Sequence, residues 1–516
     1  MIARADAQAP LPLERIALAI VAALLVLDSV WVLLAFGIRF TDEDQTIYWF
    51  AAEEFSRLRI REPFFYGQRY NTLLEAVPAA VLRLAGVPPW ASVPGTALAF
   101  GLAPWAIFAA LAWRRGARLL AVALLAAPLL LPMRYSMLLC LASYNAGVLL
   151  AALGIAAALS VTKPGPRWFA SGLLLGLAAV QNPNSIVLAA PAAIYFAIEG
   201  RSDLALRRWA SLGLALAAAA QAAGLLFYKL HPAYDLHVPW PLELSLGSFR
   251  LALGHLDRFF GTYVPAWLPR PELVFLGLAA AVILAVRARR ASMVAAAACA
   301  AVGLLLSLAV TKLQDGTDSI FYSYARMYLA LPALFAFLAV ILSRPGRARS
   351  SLRAAGAAAI VVLAAASTAV RAASFESAAM AEAQRPALWV QAQPTQHLRE
   401  TCSALEELAE RHAAPLVIHL ADRPAAYGCG ALLYGRVETL FPRYERRTWL
   451  LLQEQRARRG RVLFSEVTAG FCPGAAGLVK SCRIVSRAPD VALVELSPPA
   501  TPLRFVRERF RVRAFE

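Results

Sequence analysis

The residues best suited to chemistry lie in "TDEDQTIYWFAAEEF", positions 41–55. Three consecutive acids, Asp42, Glu43 and Asp44, open the stretch, and Glu53 and Glu54 close it, with aromatic residues between. A carboxylate partly withdrawn from water is a better proton acceptor, because burial disfavours its charged form and raises its pKa. One acid would cap the helix that follows, whose N-terminus welcomes negative charge. Three exceed that need, so at least one is assigned a functional role. A second stretch, "EPFFYGQRYNTLLEA", begins at Glu62. It offers Tyr66, Gln68, Arg69, Tyr70 and Asn71 as hydrogen-bonding and sugar-stacking groups, with Gly67 serving the turn. Glu75 stands in an otherwise apolar helical run, which at membrane depth marks a functional position by default.

The elements that must position these groups are membrane helices. A chain of 516 residues that is 59% hydrophobic, with a mean hydropathy of +0.57, is too apolar for a soluble globule of this size. Apolar runs of about 20 residues match the roughly 30 Å core of a bilayer. About eleven such spans are expected, near 14–37, 92–113, 117–137, 141–161, 168–181, 183–199, 209–228, 271–287, 292–311, 326–343 and 354–372. The first exceeds a signal-peptide core and lacks a cleavage site, so it is read as retained. The net charge of +18 is dispersed through short connections such as "WRRGAR", "EGRSDLALRR" and "SRPGRARSSLR". That pattern sets membrane orientation and gives no reason to expect nucleic acid. Basic connections alternate with connections poor in excess positive charge. This puts the N-terminus in the cytoplasm and the long loops 38–91 and 229–270 outside.

The expected fold is therefore a multi-pass α-helical membrane domain, residues 1–373, followed by a small external α/β domain, residues 374–516. In the first loop, a helix from Gln45 to Leu58 has a mostly aromatic and apolar face suited to the headgroup layer. A second surface helix runs from about Thr72 to Leu84, broken by Pro78. Another is expected from Leu242. In the tail, an amphipathic helix to about His412 precedes the strands "PLVIHL", "RVLFSE", "CRIVSR" and "VALVEL", with a helix in "YERRTWLLLQEQRAR". Cys140 and Cys299 fall in or beside spans as packing residues. Cys402, Cys429, Cys472 and Cys482 all lie in the tail, which suits an oxidising compartment. Proximity suggests the pairs Cys402–Cys429 and Cys472–Cys482, among three possible pairings. His231 and His237 flank Asp235, but two histidines in a proline-rich loop are more often structural than metal-binding. No dinucleotide fingerprint or P-loop occurs.

The stretches "DEDQTIYWFAAEEF" and "EPFFYGQRYNTLLEA", supported by "YSYARMYLALPALFAF" and "LFPRYERRTWLL", resemble the glycosyltransferase C superfamily. The likeness is to its bacterial branch of protein mannosyltransferases and lipid A aminoarabinose transferases. It implies one span, a long outer loop with surface helices, many further spans and an external domain. It implies a polyprenyl-phosphate sugar donor, a lipid bilayer setting and an extracytoplasmic acceptor. In such enzymes an acid of the first loop is the general base or binds a metal; here that falls on Asp42, Glu43 or Asp44, with Asp44 the first choice and Asp42 the second. A divalent cation could bind at Asp42 and Asp44; no other cofactor is called for. The acidic run departs from the simple Asp-Glu pattern of the mannosyltransferases.

An inverting transfer needs a carboxylate to take the acceptor's proton and cations to neutralise the departing phosphate. Lys312 and Arg326, with Tyr324 in "YSYARMY", are placed at outer ends of spans, and Arg69 is a further candidate. Each could instead be a snorkelling anchor. A lipid or glycan transporter is the rival reading, but transporters place polar groups within spans. Here the expected spans are nearly free of acids apart from Asp28, and the polar residues gather in outer loops. A non-enzymatic scaffold with an external binding domain is the other.

Overall fold

The computed structural model describes residues 12–236, 243–343, 350–387, 390, 392–442, 445–452, 461–466, 482–488 and 491–496. The first helices are α1 (Pro12–Val32), α2 (Glu43–Ser56), α3 (Ala76–Leu84), α4 (Pro89–Arg114), α5 (Arg118–Leu130) and α6 (Met133–Leu139). Then come α7 (Asn145–Ser160), α8 (Pro164–Gln181), α9 (Ile186–Glu199), α10 (Ser211–Leu230), α11 (Leu246–Gly254) and α12 (Leu256–Phe260). The last are α13 (Leu273–Arg287), α14 (Ala291–Leu308), α15 (Leu331–Leu342), α16 (Ser350–Ala383), α17 (Thr395–Arg411), α18 (Arg423–Leu432) and α19 (Thr448–Leu452).

Every expected span contains a helix, but among the described residues only six helices are long and apolar enough to cross a bilayer, or seven if a bent pair counts as one. The apolar helices α7, α9 and α13 fall short in length. The expected span 117–137 is not continuous: α5 and α6 meet at 91°. Leu131, preceding Pro132, is extended at φ −78° and ψ 161°, as the proline ring requires of its predecessor. The last span also runs beyond the expected 372, since α16 continues to Ala383.

The chain forms two compact units, and each is taken by itself. The first comprises residues 1–37, 94–221 and 240–388. Its core includes a seam where Ala17, Val21 and Leu25 of α1 meet Val122, Ala126 and Leu129 of α5 and Ala357 and Ala364 of α16. The four-residue spacing on α1 aligns one narrow stripe, and small partners let the backbones close in. The opposite side of α1 exposes Ile16, Ile20, Val26, Leu27 and Leu34, the surface a helix in lipid presents.

Arg371 of α16 seals the break between α5 and α6. Its Nη1 donates to the carbonyls of Pro128 and Leu131, at 3.0 and 3.2 Å, and its Nη2 to Asp28 Oδ2 at 2.9 Å and Ser136 Oγ at 2.5 Å. Carbonyls released by a broken helix have no water to turn to in a bilayer, so a guanidinium substitutes. Glu14, wholly buried, lies 3.6 Å from Arg118 and 3.5 Å from Arg353.

The second unit gathers residues 38–93, 222–239 and 389–516. It holds a two-stranded pair, β1 (Phe40–Thr41) with β2 (Gln393–Pro394), and a five-stranded sheet. The sheet is ordered β4 (Glu438–Leu440), β3 (Leu416–His419), β5 (Arg461–Ser465), β7 (Val491–Leu496), β6 (Cys482–Ala488). β3 runs parallel to β4 and β5, while β7 is antiparallel to β5 and β6. All four strands expected in the tail are present; β4, three residues long, had no signal.

Two readings of the first loop change. The helix expected to rest an aromatic face on headgroups, α2, is buried from Gln45 to Glu54. Its apolar side packs within the unit, and Glu53 and Glu54 on the other side are paired with Arg57, Arg83 and Arg61. The apolar face left open belongs to α3, where Val77, Val81 and Leu84 are exposed at helical spacing. Pro78 does not break α3 but sits in its first turn, where no backbone N–H is needed. The helix starts late because Asn71 and Leu73 have positive φ. Cys402 of α17 and Cys429 of α18 form the expected disulfide. Cys472, His237 and Trp240 lie outside the described residues.

Candidate active site

The acid trio is placed by the strand before it and the helix after it. β1 pairs with β2, and Thr395 N–H donates to Arg39 O at 2.8 Å, so the chain entering α2 is tied down. Asp42 then caps α2, its Oδ1 accepting from Gln45 N–H at 2.8 Å. That is the bland role weighed for the trio, and one acid fills it.

The other two acids meet arginines of the tail. Arg423 Nη1 lies 3.1 Å from Glu43 Oε2, and Arg446 Nε lies 3.6 Å from Glu43 Oε1. Arg446 Nη1 is 3.7 Å from Asp44 Oδ1. The arginines can reach because α18 lies close on α2. A Cβ on Gly428 would stand 2.7 Å from Leu398 and 3.3 Å from Thr46 of α2, which fits no other residue type without displacement. The Cys402–Cys429 bridge holds α17 to the same α18.

The three carboxylates differ in solvent access. Asp42 is 1% exposed, and burial holds it well above the usual carboxylate range, reinforced by the charge of Asp44 and opposed by the Gln45 N–H. Glu43 is also raised by burial, with Arg446 pulling the other way. Asp44 keeps a side chain 34% exposed and accepts no hydrogen bond from a described residue.

The second motif folds mostly inward. Tyr66, Asn71 and Glu75 are buried. Tyr66 edges onto Trp449 at 4.7 Å between ring centres, and its hydroxyl has no hydrogen-bond partner among the described residues. Asn71 Oδ1 accepts from Tyr48 OH at 3.0 Å. Gln68 and Tyr70 keep partial exposure, and Arg69, half-exposed, pairs with Asp235 at 2.6 Å. Glu62, not singled out in the sequence, is the acid most altered by this fold. Its Oε2 accepts from Gly67 N–H at 2.6 Å and Tyr228 OH at 2.8 Å, while Oε1 is buried without a partner among the described residues. Burial pushes it up to about 8.

Lys312, Tyr324 and Arg326 belong to the first unit. Lys312 Nζ lies 3.2 Å from Asp315 Oδ2, which also accepts from Tyr322 OH at 2.8 Å. Arg326, buried, stacks its guanidinium 3.5 Å from the centre of the Tyr322 ring and donates to Asp315 O at 3.3 Å. Burial lowers Lys312 below the ordinary lysine value, against the hydrogen bond it donates to Asp315. Tyr324 packs against Phe259, ring centres 5.4 Å apart.

Among the described residues no three His, Cys, Asp or Glu side chains converge as metal ligands. The positive charge facing Glu43 and Asp44 comes from Arg423 and Arg446 instead. His231 stacks on Phe227 at 4.6 Å, and its Nδ1 lies 2.9 Å from Phe227 O. Arg423, Arg446 and Glu62 were all missed. The run "YERR" was a signal for Arg446, being two arginines beside an acid in apolar surroundings.

No protein-family model and no curated protein matches this chain. Two solved structures of ArnT from Cupriavidus metallidurans are similar to it. The apo form has a TM-score of 0.49 at 14% identity, covering 92% of this chain and 97% of that one. The form bound to undecaprenyl phosphate has a TM-score of 0.48 at 13% identity, covering 92% and 98%.

Proposed function

We propose that this protein is a bacterial inner-membrane glycosyltransferase that moves a sugar from a polyprenyl phosphate to an acceptor outside the cytoplasm. The observation that carries the reading is the graded acid trio at the start of α2. Asp42 is consumed as a cap and Glu43 is locked to Arg423, which leaves Asp44 as the carboxylate an acceptor hydroxyl can reach. Asp44 takes the acceptor's proton as the bond to phosphate breaks, and its neighbours hold it in place. Within the first unit, Lys312 and Arg326, pre-aligned by Asp315 and Tyr322, are the cations suited to receive a phosphate. Gln68, Arg69 and Tyr70 contact the sugar, with the buried Tyr66, Asn71 and Glu75 shaping the loop. The disulfide supports an oxidising compartment, and so a periplasmic setting, for the C-terminal segment, while the alternation of basic connections supports a cytoplasmic N-terminus.

The transporter reading draws on the broken α5–α6 pair, since transporters use interrupted helices to bind cargo. Here the carbonyls at the break are already taken by Arg371, so they are not available as a cargo site.

The test is turnover by the purified protein with a panel of radiolabelled polyprenyl-phosphate sugars. Loss of a general base costs about 10²- to 10⁴-fold, so Asp44→Asn should fall by that much. Asp42→Asn, which can still cap, should keep most activity. Full activity in Asp44→Asn would exclude it as the base.

A further inference from the structure

A cavity of about 450 Å³ opens within the second unit, lined by the C-terminal part of α2, the chain after it and the tail. Five arginines face it against two glutamates. With a rise of 1.5 Å per residue, Glu54 on its wall is about 15 Å along α2 from Asp44, so it is separate from the acid trio.

Its arginines are arranged on aromatic surfaces. The Arg57 guanidinium lies 4.4 Å from the ring centre of Tyr434, and that of Arg61 lies 5.8 Å from Trp449. Arg59 Nη1 donates to Tyr434 OH at 2.9 Å and meets no carboxylate among the described residues. Tyr434 OH in turn donates to Glu54, which also accepts from Arg61 Nε at 2.7 Å. The negative charge present is thus shared among several donors.

Arg447 supplies an independent indication. It is wholly buried, held by Glu445 through Nε at 2.7 Å and Nη2 at 2.9 Å, and by Thr439 O at 2.7 Å. Among the described residues its Nη1 has no hydrogen-bond partner. That atom lies beside Gly430, another residue of the cavity wall, where a Cβ would come within 2.2 Å. Leaving a buried guanidinium donor unsatisfied is costly unless something outside the chain accepts from it. Glycine at position 430 makes room for that guanidinium at the cavity wall.

We infer that this cavity binds an acidic sugar, one whose carboxylate or phosphate accepts from Arg59 and Arg447 while its ring lies against Tyr434 and Trp449. Guanidinium groups match both oxyanions with paired donors, and aromatic rings suit the apolar face of a sugar. The volume falls in the range of pockets that hold small molecules, about 300–1,000 Å³. The binding claim stands by itself; only its use, anchoring an acidic sugar of the acceptor away from the reaction centre, rests on the transferase reading.

Titration calorimetry of the full-length protein in detergent tests it without donor or turnover, so an inactive transferase could still pass. The ligands are glucuronate, glucose 6-phosphate, inorganic phosphate and glucose. We expect at least one acidic sugar to bind at least tenfold more tightly than glucose and than inorganic phosphate. The preferred acid identifies which oxyanion the cavity is built for. Arg59→Gln, at an exposed position, should weaken that ligand tenfold or more while leaving the unfolding temperature unchanged. Equal binding of glucose, binding of inorganic phosphate alone, no binding, or an Arg59→Gln variant that binds like wild type would each overturn the proposal.

Discussion

Replacing Glu62 with glutamine should make the protein less sensitive to alkaline pH. In the fold the carboxyl is buried, with Oε2 accepting two hydrogen bonds and Oε1 accepting none. Burial raises it from 4.5 to about 8, opposed by the Gly67 N–H and then by Tyr228. Between those two values the folded chain holds a proton that the unfolded chain has released, so stability falls as pH rises. The contribution is complete below pH 4.5 and is lost on passing about pH 8. At 1.36 kcal/mol per unit, the whole effect is roughly 5 kcal/mol. Glutamine copies the protonated acid: its carbonyl can accept from both Gly67 and Tyr228, and its amide replaces the protonated oxygen. Intrinsic fluorescence during heating, in detergent at pH 5, 7 and 9, compares the two proteins. They should differ least at pH 5. At pH 9 Glu62→Gln should survive to a temperature several degrees higher. Other titrating groups are common to both proteins and cancel in the difference. Parallel profiles from pH 5 to 9 would refute the burial argument.

Three further outcomes are expected. Arg371→Met strands Asp28 and exposes the carbonyls at the α5–α6 break, so it should cost about 3–5 kcal/mol, measured by resistance to thermal unfolding in detergent. Adding Asp28→Asn should recover part of that loss. Replacing Cys402 and Cys429 with serine opens a 27-residue loop and should cost roughly 3–4 kcal/mol of stability in the second unit. Reduced wild type should behave like the double variant under limited proteolysis. Asp42→Ala should lose about 1 kcal/mol of α2 capping, whereas Asp42→Asn keeps it; equal unfolding temperatures for the two would contradict the cap.

The site was legible where chemistry is local. Three acids after an apolar run can be read as a cap plus a surplus, and the structure divides them that way: Asp42 caps, while Glu43 and Asp44 face guanidiniums. The strands of the tail were legible because each is a short apolar run, and the Cys402–Cys429 pair because its members are neighbours in sequence. The environment of α2 was not. Its aromatic face implied an interface, but periodicity states only that a face needs cover, and here that cover includes Trp449 and Tyr434 of the tail. Span continuity was misjudged for a related reason. Hydropathy sums over a window and does not register that one residue before Pro132 must leave the helix.

Hydrophobic content and spacing alone determined that this is a membrane chain with helices in given stretches, because transfer from water to lipid depends on what each residue is. Which carboxylate stays accessible, which arginine meets it and whether Glu62 holds its proton were decided only by tertiary structure. Those properties depend on desolvation and on charges from distant segments. Arg446 lies some four hundred residues from Asp44 along the chain, and only folding brings them within 3.7 Å.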